Sequence, residues 1–369
     1  MKVVLSDVAS GRNNNLNLIR FVAASLVLVS HSFAFVTGRI FDDPLSRLVG
    51  LEMGSLAVNI FFITSGFLVT GSLFNHSSVR SFIWARMLRI YPALVIAVIF
   101  TVVLGAFFTK LPVSEYFFHS DFWLFVVRNA TALWPGLPLR LHDVFSANPI
   151  SGVLNGSLWT LPWELGMYMA LAAGGMLMAL GLSARQLKIL LLCVGVISTL
   201  YYNYLYVAGK VNPFSNIYNF ARFTSFFFIG SGLYVLKDKI FFSVVSLLLC
   251  CGAIWLAVIL NKAAGLVTIN VLLAYVVLYL AYVPSGVTTL YNRLGDYSYG
   301  MYIYAFPVQQ SLVAMYPNIT ILELCITSFV VTLALAILSW NFIEKRIMAN
   351  RKSYGQKTWD LFSRSRRAS

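Results

Sequence analysis

Apolar stretches close to 20 residues long, nearly free of charge, recur along this chain of 369 residues. A helix needs about 20 apolar residues to cross roughly 30 Å of hydrocarbon. Inside that hydrocarbon every backbone N–H and C=O must be paired, and a helix does this within the segment. The pattern predicts an all-α, polytopic membrane helix bundle. Composition agrees: 59% of residues are hydrophobic and 11% charged, where a soluble domain carries about 25% charged, and mean hydropathy is +0.79. Hydropathy predicts ten spans, at about 17–37, 54–74, 90–109, 158–182, 187–206, 216–236, 240–260, 264–282, 297–316 and 319–342. The least distinct are the pairs divided by Lys262 and by Pro317-Asn318. The polar N-terminus runs straight into the first span without a small-residue cleavage site, so no cleavable signal is expected.

Charge sets the expected orientation. With the N-terminus in the cytoplasm, that side holds 18 of the Lys and Arg residues and the opposite side 7, with Arg20 and Arg222 inside spans. This follows the positive-inside rule with both termini cytoplasmic. It also accounts for the net charge of +14 without a nucleic-acid partner. The expected division is a membrane domain over 1–346 and a basic cytoplasmic tail over 347–369, lying at an anionic leaflet. The longest loop, about 110–157, falls outside; its segment "DFWLFVVRNATALW" reads as interfacial or re-entrant. A separate soluble catalytic domain needs about 100 residues, and no segment supplies them, so any chemistry belongs to the bundle. Cys193, Cys250, Cys251 and Cys325 all lie in apolar stretches and read as small buried hydrophobes rather than a disulfide framework or metal site.

An ionisable residue inside a span is costly and points to function. Arg20 and His31 share the first span. Eleven residues at 100° each is three turns plus about 20°, so both leave one face, about 16 Å apart along the axis. Histidine suits proton transfer near neutral pH. Glu164, in "SLWTLPWELGMY", is expected about six residues below the outer boundary, as is His31. It can then orient the imidazole or pair with Arg222 of the sixth span, and both partners stay open. Asn59 lies in "GSLAVNIFFITSGFL" near the same depth and is a candidate acceptor or oxyanion ligand. The glycines Gly54, Gly66 and Gly71 there suit close helix packing. Arg86 and Arg89, in "RMLRIYP", share a face and make a fork for phosphate oxygens. His76, His119 and His142 sit in loops.

These segments, in this order, resemble the integral-membrane acyltransferase type 3 family, whose members O-acylate bacterial surface polysaccharides, exopolysaccharides and peptidoglycan. The likeness runs from about Asn14 to Arg346. Arg20 and His31 match its arginine–ten residues–histidine motif. "RMLRIYP" matches its Arg-x-x-Arg with aromatic–Pro, and "SLWTLPWELGMY" its Ser-Leu-Trp signature ending in Glu. "LGDYSYGMYIYAFPV" and "WNFIEKR" resemble its later blocks. Many members carry a histidine two residues before the proline of the Ser-Tyr block; here Ala305 precedes Pro307 by two, which leaves His31 as the sole histidine in a span.

The resemblance implies a transferase in a bacterial inner membrane, with no bound cofactor. Its donor substrate would be a cytoplasmic acyl-CoA, usually acetyl-CoA, and its acceptor an extracytoplasmic glycan or lipid-linked sugar. Arg20, Arg86 and Arg89 are then expected to bind donor phosphates, and His31, assisted by Glu164, to act as general base or acyl carrier. Asn59 or Arg222 would steady the oxyanion or acceptor. A polytopic transporter and a non-catalytic partner in surface-polymer assembly are the competing readings. No internal repeat supports a transporter, and the intact Arg20–His31 pair weighs against a non-catalytic partner.

Overall fold

The computed structural model describes residues 2–9, 11, 13–75, 78–133 and 135–349. His76 and residues 350–369 of the expected tail lie outside that set. Ten helices of 17 to 27 residues coincide with the ten expected spans: α1 (Leu16–Thr37), α2 (Met53–Asn75), α3 (Val79–Gly105), α5 (Leu161–Ala179), α6 (Ala184–Val207), α7 (Asn216–Val235), α8 (Val244–Leu260), α9 (Lys262–Tyr282), α10 (Ser298–Met315) and α11 (Ile321–Ser339). Helix α4 (Ser120–Thr131) lies in the long loop. Six of the helices are long and apolar enough to cross a bilayer by themselves. No residue of α8 is buried; Leu248, Leu249, Trp255 and Ile259 are each more than half exposed, a surface suited to lipid.

Two helices are polar for a different reason. Every residue of α10 from Ser298 to Val313 is buried, so its Tyr, Gln and Ser side chains meet protein rather than lipid. Helix α7 likewise buries Asn219, Arg222, Thr224 and Ser225. Helices α2 and α7 approach through glycine: a Cβ on Gly66 would fall 1.9 Å from the Phe227 carbonyl oxygen, and one on Gly230 2.2 Å from that of Ile63. Beside this crossing Phe62 and Phe223 stack with centroids 4.3 Å apart. Gly54 and Gly71 also face neighbouring helices, as the small-residue pattern predicts.

Among the described residues, the segments before α1 and after α11 each pack on other parts of the bundle. Val3–Val4 (β1) pairs antiparallel with Phe241–Phe242 (β2), and Asn15 donates to the carbonyls of Leu280 and Pro284. Beyond α11 a π-helical turn, Trp340–Glu344, directs Glu344 toward Arg89 near the start of α3.

The sequence places the third span at 90–109, but α3 begins at Val79, capped by Ser78 Oγ, which accepts from Ser81 N at 3.2 Å. Arg86 and Arg89 thus stand inside the helix, where two buried acids offset the cost of the charge on Arg89. The cysteines also differ from expectation. All four are free, but Cys193 and Cys251 are exposed on apolar helix surfaces.

The loop containing α4 is re-entrant. Tyr116 OH donates to the Val102 carbonyl, toward the far end of α3, while Tyr91 OH donates to Thr131, the last residue of α4. From residue 102 to 91 is about 16 Å of helix, so α4 descends along α3. The returning strand is held by α10: Gln310 Nε2 donates to the carbonyls of Ile150 and Val153, and Asn148 Nδ2 donates to Gln310 Oε1 at 2.6 Å. Asn155 Nδ2 donates to the Ile303 carbonyl. A short 3-10 turn, Gly156–Thr160, then leads into α5, which starts among the helices and not at the bundle's surface.

Candidate functional site

Three arginines gather at one place in the bundle. Arg20 of α1 and Arg86 and Arg89 of α3 line a partly open cavity with Ser65, Glu164 and Tyr168. An adjoining cavity shares Arg20, Ser65 and Glu164 and continues past Phe61 to Thr160 and Tyr302. The arginines are not equivalent. Arg89 Nη2 donates to Asp296 at 2.5 Å and its Nη1 to Glu344 at 3.0 Å. Burial works against charge on Asp296, but Arg89 foremost, then Arg20 and Ser298, hold its carboxyl below the usual carboxylate range. Arg20 and Arg86 instead lie against aromatic faces, Arg20 over Phe61 at 5.6 Å and Arg86 over Tyr168 at 6.0 Å. Nε of each is buried without a hydrogen-bond partner. Each thus keeps an unpartnered Nε–H on a side chain that borders the cavity, which suits an anionic ligand.

Glu164 departs from expectation. It accepts from Ser65 Oγ at 3.2 Å and from Tyr168 OH, and no hydrogen bond joins it to His31 or Arg222 among the described residues. The cause is the re-entrant segment. Because α5 begins inside the bundle, its first turns stand beside Arg20 and not at the depth of His31. Arg222 and Asn59 bind each other: Arg222 Nε donates to Asn59 Oδ1 at 2.8 Å, and its Nη2 to the Ser55 carbonyl at 2.7 Å. Since Gly54 packs on Ser30, Asn59, five residues further along α2, lies about 7.5 Å deeper in the bundle than that contact, and no hydrogen bond joins the pair to the imidazole among the described residues.

His31 leaves the same face of α1 as Arg20, about 16 Å along it. Its ring is partly buried. Its Nδ1 is buried without a hydrogen-bond partner, which leaves a polar atom with unspent capacity. Phe306 meets the ring edge-on with centroids 5.2 Å apart, and Phe35 does so at 6.3 Å. Between the two levels runs a stripe on α10. Tyr299 and Tyr302 line the cavities, and Phe306 stands one turn further on. This is the i, i+3, i+7 spacing of one helix face. Tyr302 OH lies 2.7 Å from Thr160 Oγ1, so a polar pair sits between the basic cavity and the imidazole.

Sequence reasoning missed this stripe and Tyr168. It also passed over Asp296 and Glu344, the single acids of "LGDYSYG" and "WNFIEKR", which were available as partners for the arginine fork. Among the described residues no three His, Cys, Asp or Glu side chains come together to hold a metal.

Comparison with known proteins supplies the remaining evidence. The family model for an acyltransferase domain matches residues 13–340. An O-acetyl transferase of Shigella phage Sf6 is 30% identical over 363 residues, covering 91% of this chain and 96% of its own. Nodulation protein 10 of Rhizobium leguminosarum bv. viciae is 28% identical over 373 residues, covering 94% of this chain and 96% of its own. No solved structure matches.

Proposed function

Since the chain belongs to the acyltransferase type 3 family and is an acyltransferase, we propose that it moves an acetyl group from cytoplasmic acetyl-CoA to a hydroxyl of a glycan or lipid-linked sugar on the other side of a bacterial inner membrane. The phage relative named an O-acetyl transferase supports acetyl as the group. The observation that carries the reading is the placing of Arg20 and His31 on one helix face. Guanidiniums with unpartnered Nε–H groups border the cavity at one end of it, and an apolar, aromatic wall stands at the other.

Arg20 and Arg86 hold the CoA phosphates, and Arg89, fixed by Asp296 and Glu344, braces α3 behind them. The pantetheine arm follows the Tyr299–Tyr302 stripe toward His31, a distance of about 16 Å. The acceptor hydroxyl oxygen attacks the thioester carbonyl carbon. The C–O bond forms, the C–S bond breaks, and His31 takes the hydroxyl proton and returns it to the departing thiolate. An acyl-imidazole route would use the same atoms in two transfers; trapping an acylated protein with labelled donor would distinguish it. Glu164, bound to Ser65 and Tyr168, acts at the donor end by limiting how anions seat between Arg20 and Arg86. Asn59 and Arg222 serve the acceptor as a pair.

Mass spectrometry of surface glycans from wild-type and His31→Ala strains tests this. The reading expects an acetylated species in the wild type that disappears in the variant while the protein stays at normal level in the membrane. An unchanged acetylated glycan in the variant would refute it.

A further inference from the structure

His31 stands among closely packed rings, outside the lining of the two cavities at Arg20. Phe35 and Phe306 are 1% and 6% exposed, and their centroids are 4.8 Å apart. Both stand steeply to the plane of the imidazole, at 70° and 82°. Phe306 has no room to swing aside, because Gly156 of the re-entrant segment backs it. A Cβ added there would fall 2.4 Å from the ring. On the neighbouring turn, Gln309 Nε2 donates to Ser32 Oγ at 2.7 Å and to the Leu28 carbonyl at 2.8 Å. Helices α1 and α10 are therefore pinned together at this level and cannot spread to admit a larger group.

We propose that Phe306, seconded by Phe35, is the wall that limits acyl-chain length, so that the protein transfers acetyl and rejects chains of about four carbons or more. This rests on the reading of His31 as the reacting group. For transfer, the thioester carbon must come within about 3–3.5 Å of the attacking oxygen, which is itself in hydrogen-bond reach of His31. The acyl tail then projects from that carbon into the space the two rings bound. A methyl adds little volume there. Each further methylene meets a close-packed, backed ring, and interiors packed to crystal density respond to a single methylene. The bonds made and broken are those of the acetyl reaction, so chain length alters only the fit.

The test measures initial rates of label transfer to the native glycan, in membranes carrying the protein, from acetyl-CoA, propionyl-CoA and butyryl-CoA. Wild type, Phe306→Leu, Phe306→Ala and Phe35→Leu are compared. One methylene in an apolar pocket discriminates by about 10–200-fold, so wild type should favour acetyl over butyryl by about 100-fold or more. That ratio should fall by about tenfold or more in Phe306→Ala and by less in the leucine variants. A wild type that transfers butyryl as readily as acetyl would overturn the inference without any variant having to fold. So would a folded Phe306→Ala protein that keeps the wild-type ratio. A wild type that transfers none of the three acyl groups would instead overturn the functional reading beneath it.

Discussion

Arg86 and Arg89 lie three residues apart on one helix, yet Arg89 donates to two buried carboxylates while Arg86 keeps an unpartnered Nε against the cavity. Substitution should separate them. Arg86→Gln removes charge-assisted donors worth about 1.5–3 kcal/mol, so the apparent KM for the acyl-CoA donor should rise about 10–100-fold, with the protein's melting temperature near wild type. Arg89→Gln leaves Asp296 and Glu344 buried without their cation, a loss of about 3–5 kcal/mol. Its main effect should be a lower melting temperature and poor yield in detergent. Donor KM unchanged in Arg86→Gln would return that residue to a topological role. Glu164 belongs with this group, and Glu164→Gln should alter donor KM more than it alters the ability of His31 to support transfer. A loss of turnover at saturating donor with KM unchanged would restore the link to His31.

Among the helices, the α2–α7 crossing and the re-entrant segment carry the site. Gly66→Ala places a methyl 1.9 Å from the Phe227 carbonyl oxygen. Backbone cannot yield as a side chain tip can, so the helices must separate, at about 1–3 kcal/mol or more. Fluorescence-detected size exclusion should show a large loss of monodisperse protein; a normal profile would mean that the two helices are not so close. Gln310→Leu strips the Ile150 and Val153 carbonyls of their donor and leaves Asn148 Nδ2 only the Gln310 carbonyl, and each buried group left unpaired costs about 1–3 kcal/mol. The segment from α4 to Thr160 should then become sensitive to protease while α1 and α2 stay protected. Equal protection of both would contradict its anchoring by α10.

At the scale of the whole molecule, much of the architecture was legible because lipid leaves a strong mark on sequence. The ten long helices stand where hydropathy places them, most within a few residues. The exceptions share a cause: residues that meet protein where the linear pattern expects water or a membrane surface. Arg86 and Arg89 share a helix face by their spacing but fall ahead of the expected span at 90–109, because the acids that balance Arg89 are more than 200 residues away in sequence. Glu164 was set at the depth of His31 on the premise that a span begins at a membrane surface, and the re-entrant segment breaks that premise. The Arg20–His31 face was readable since it lies within one helix, where spacing alone fixes geometry. The aromatic stripe on α10 has i, i+3, i+7 spacing in the sequence, but α10 is buried on every side from Ser298 to Val313, so spacing alone does not mark the face that meets the cavities.

The central claim is that a donor bound at Arg20 and Arg86 delivers its acyl group at His31, toward the opposite end of the bundle. Purified protein in liposomes tests it most directly, with labelled acetyl-CoA outside, the native glycan enclosed, and only the molecules whose termini face outward able to use that donor. The account predicts labelled glycan inside with wild-type protein, the same product only at raised donor concentration with Arg86→Gln, and none with His31→Ala. Labelled glycan at wild-type rate from His31→Ala would contradict it.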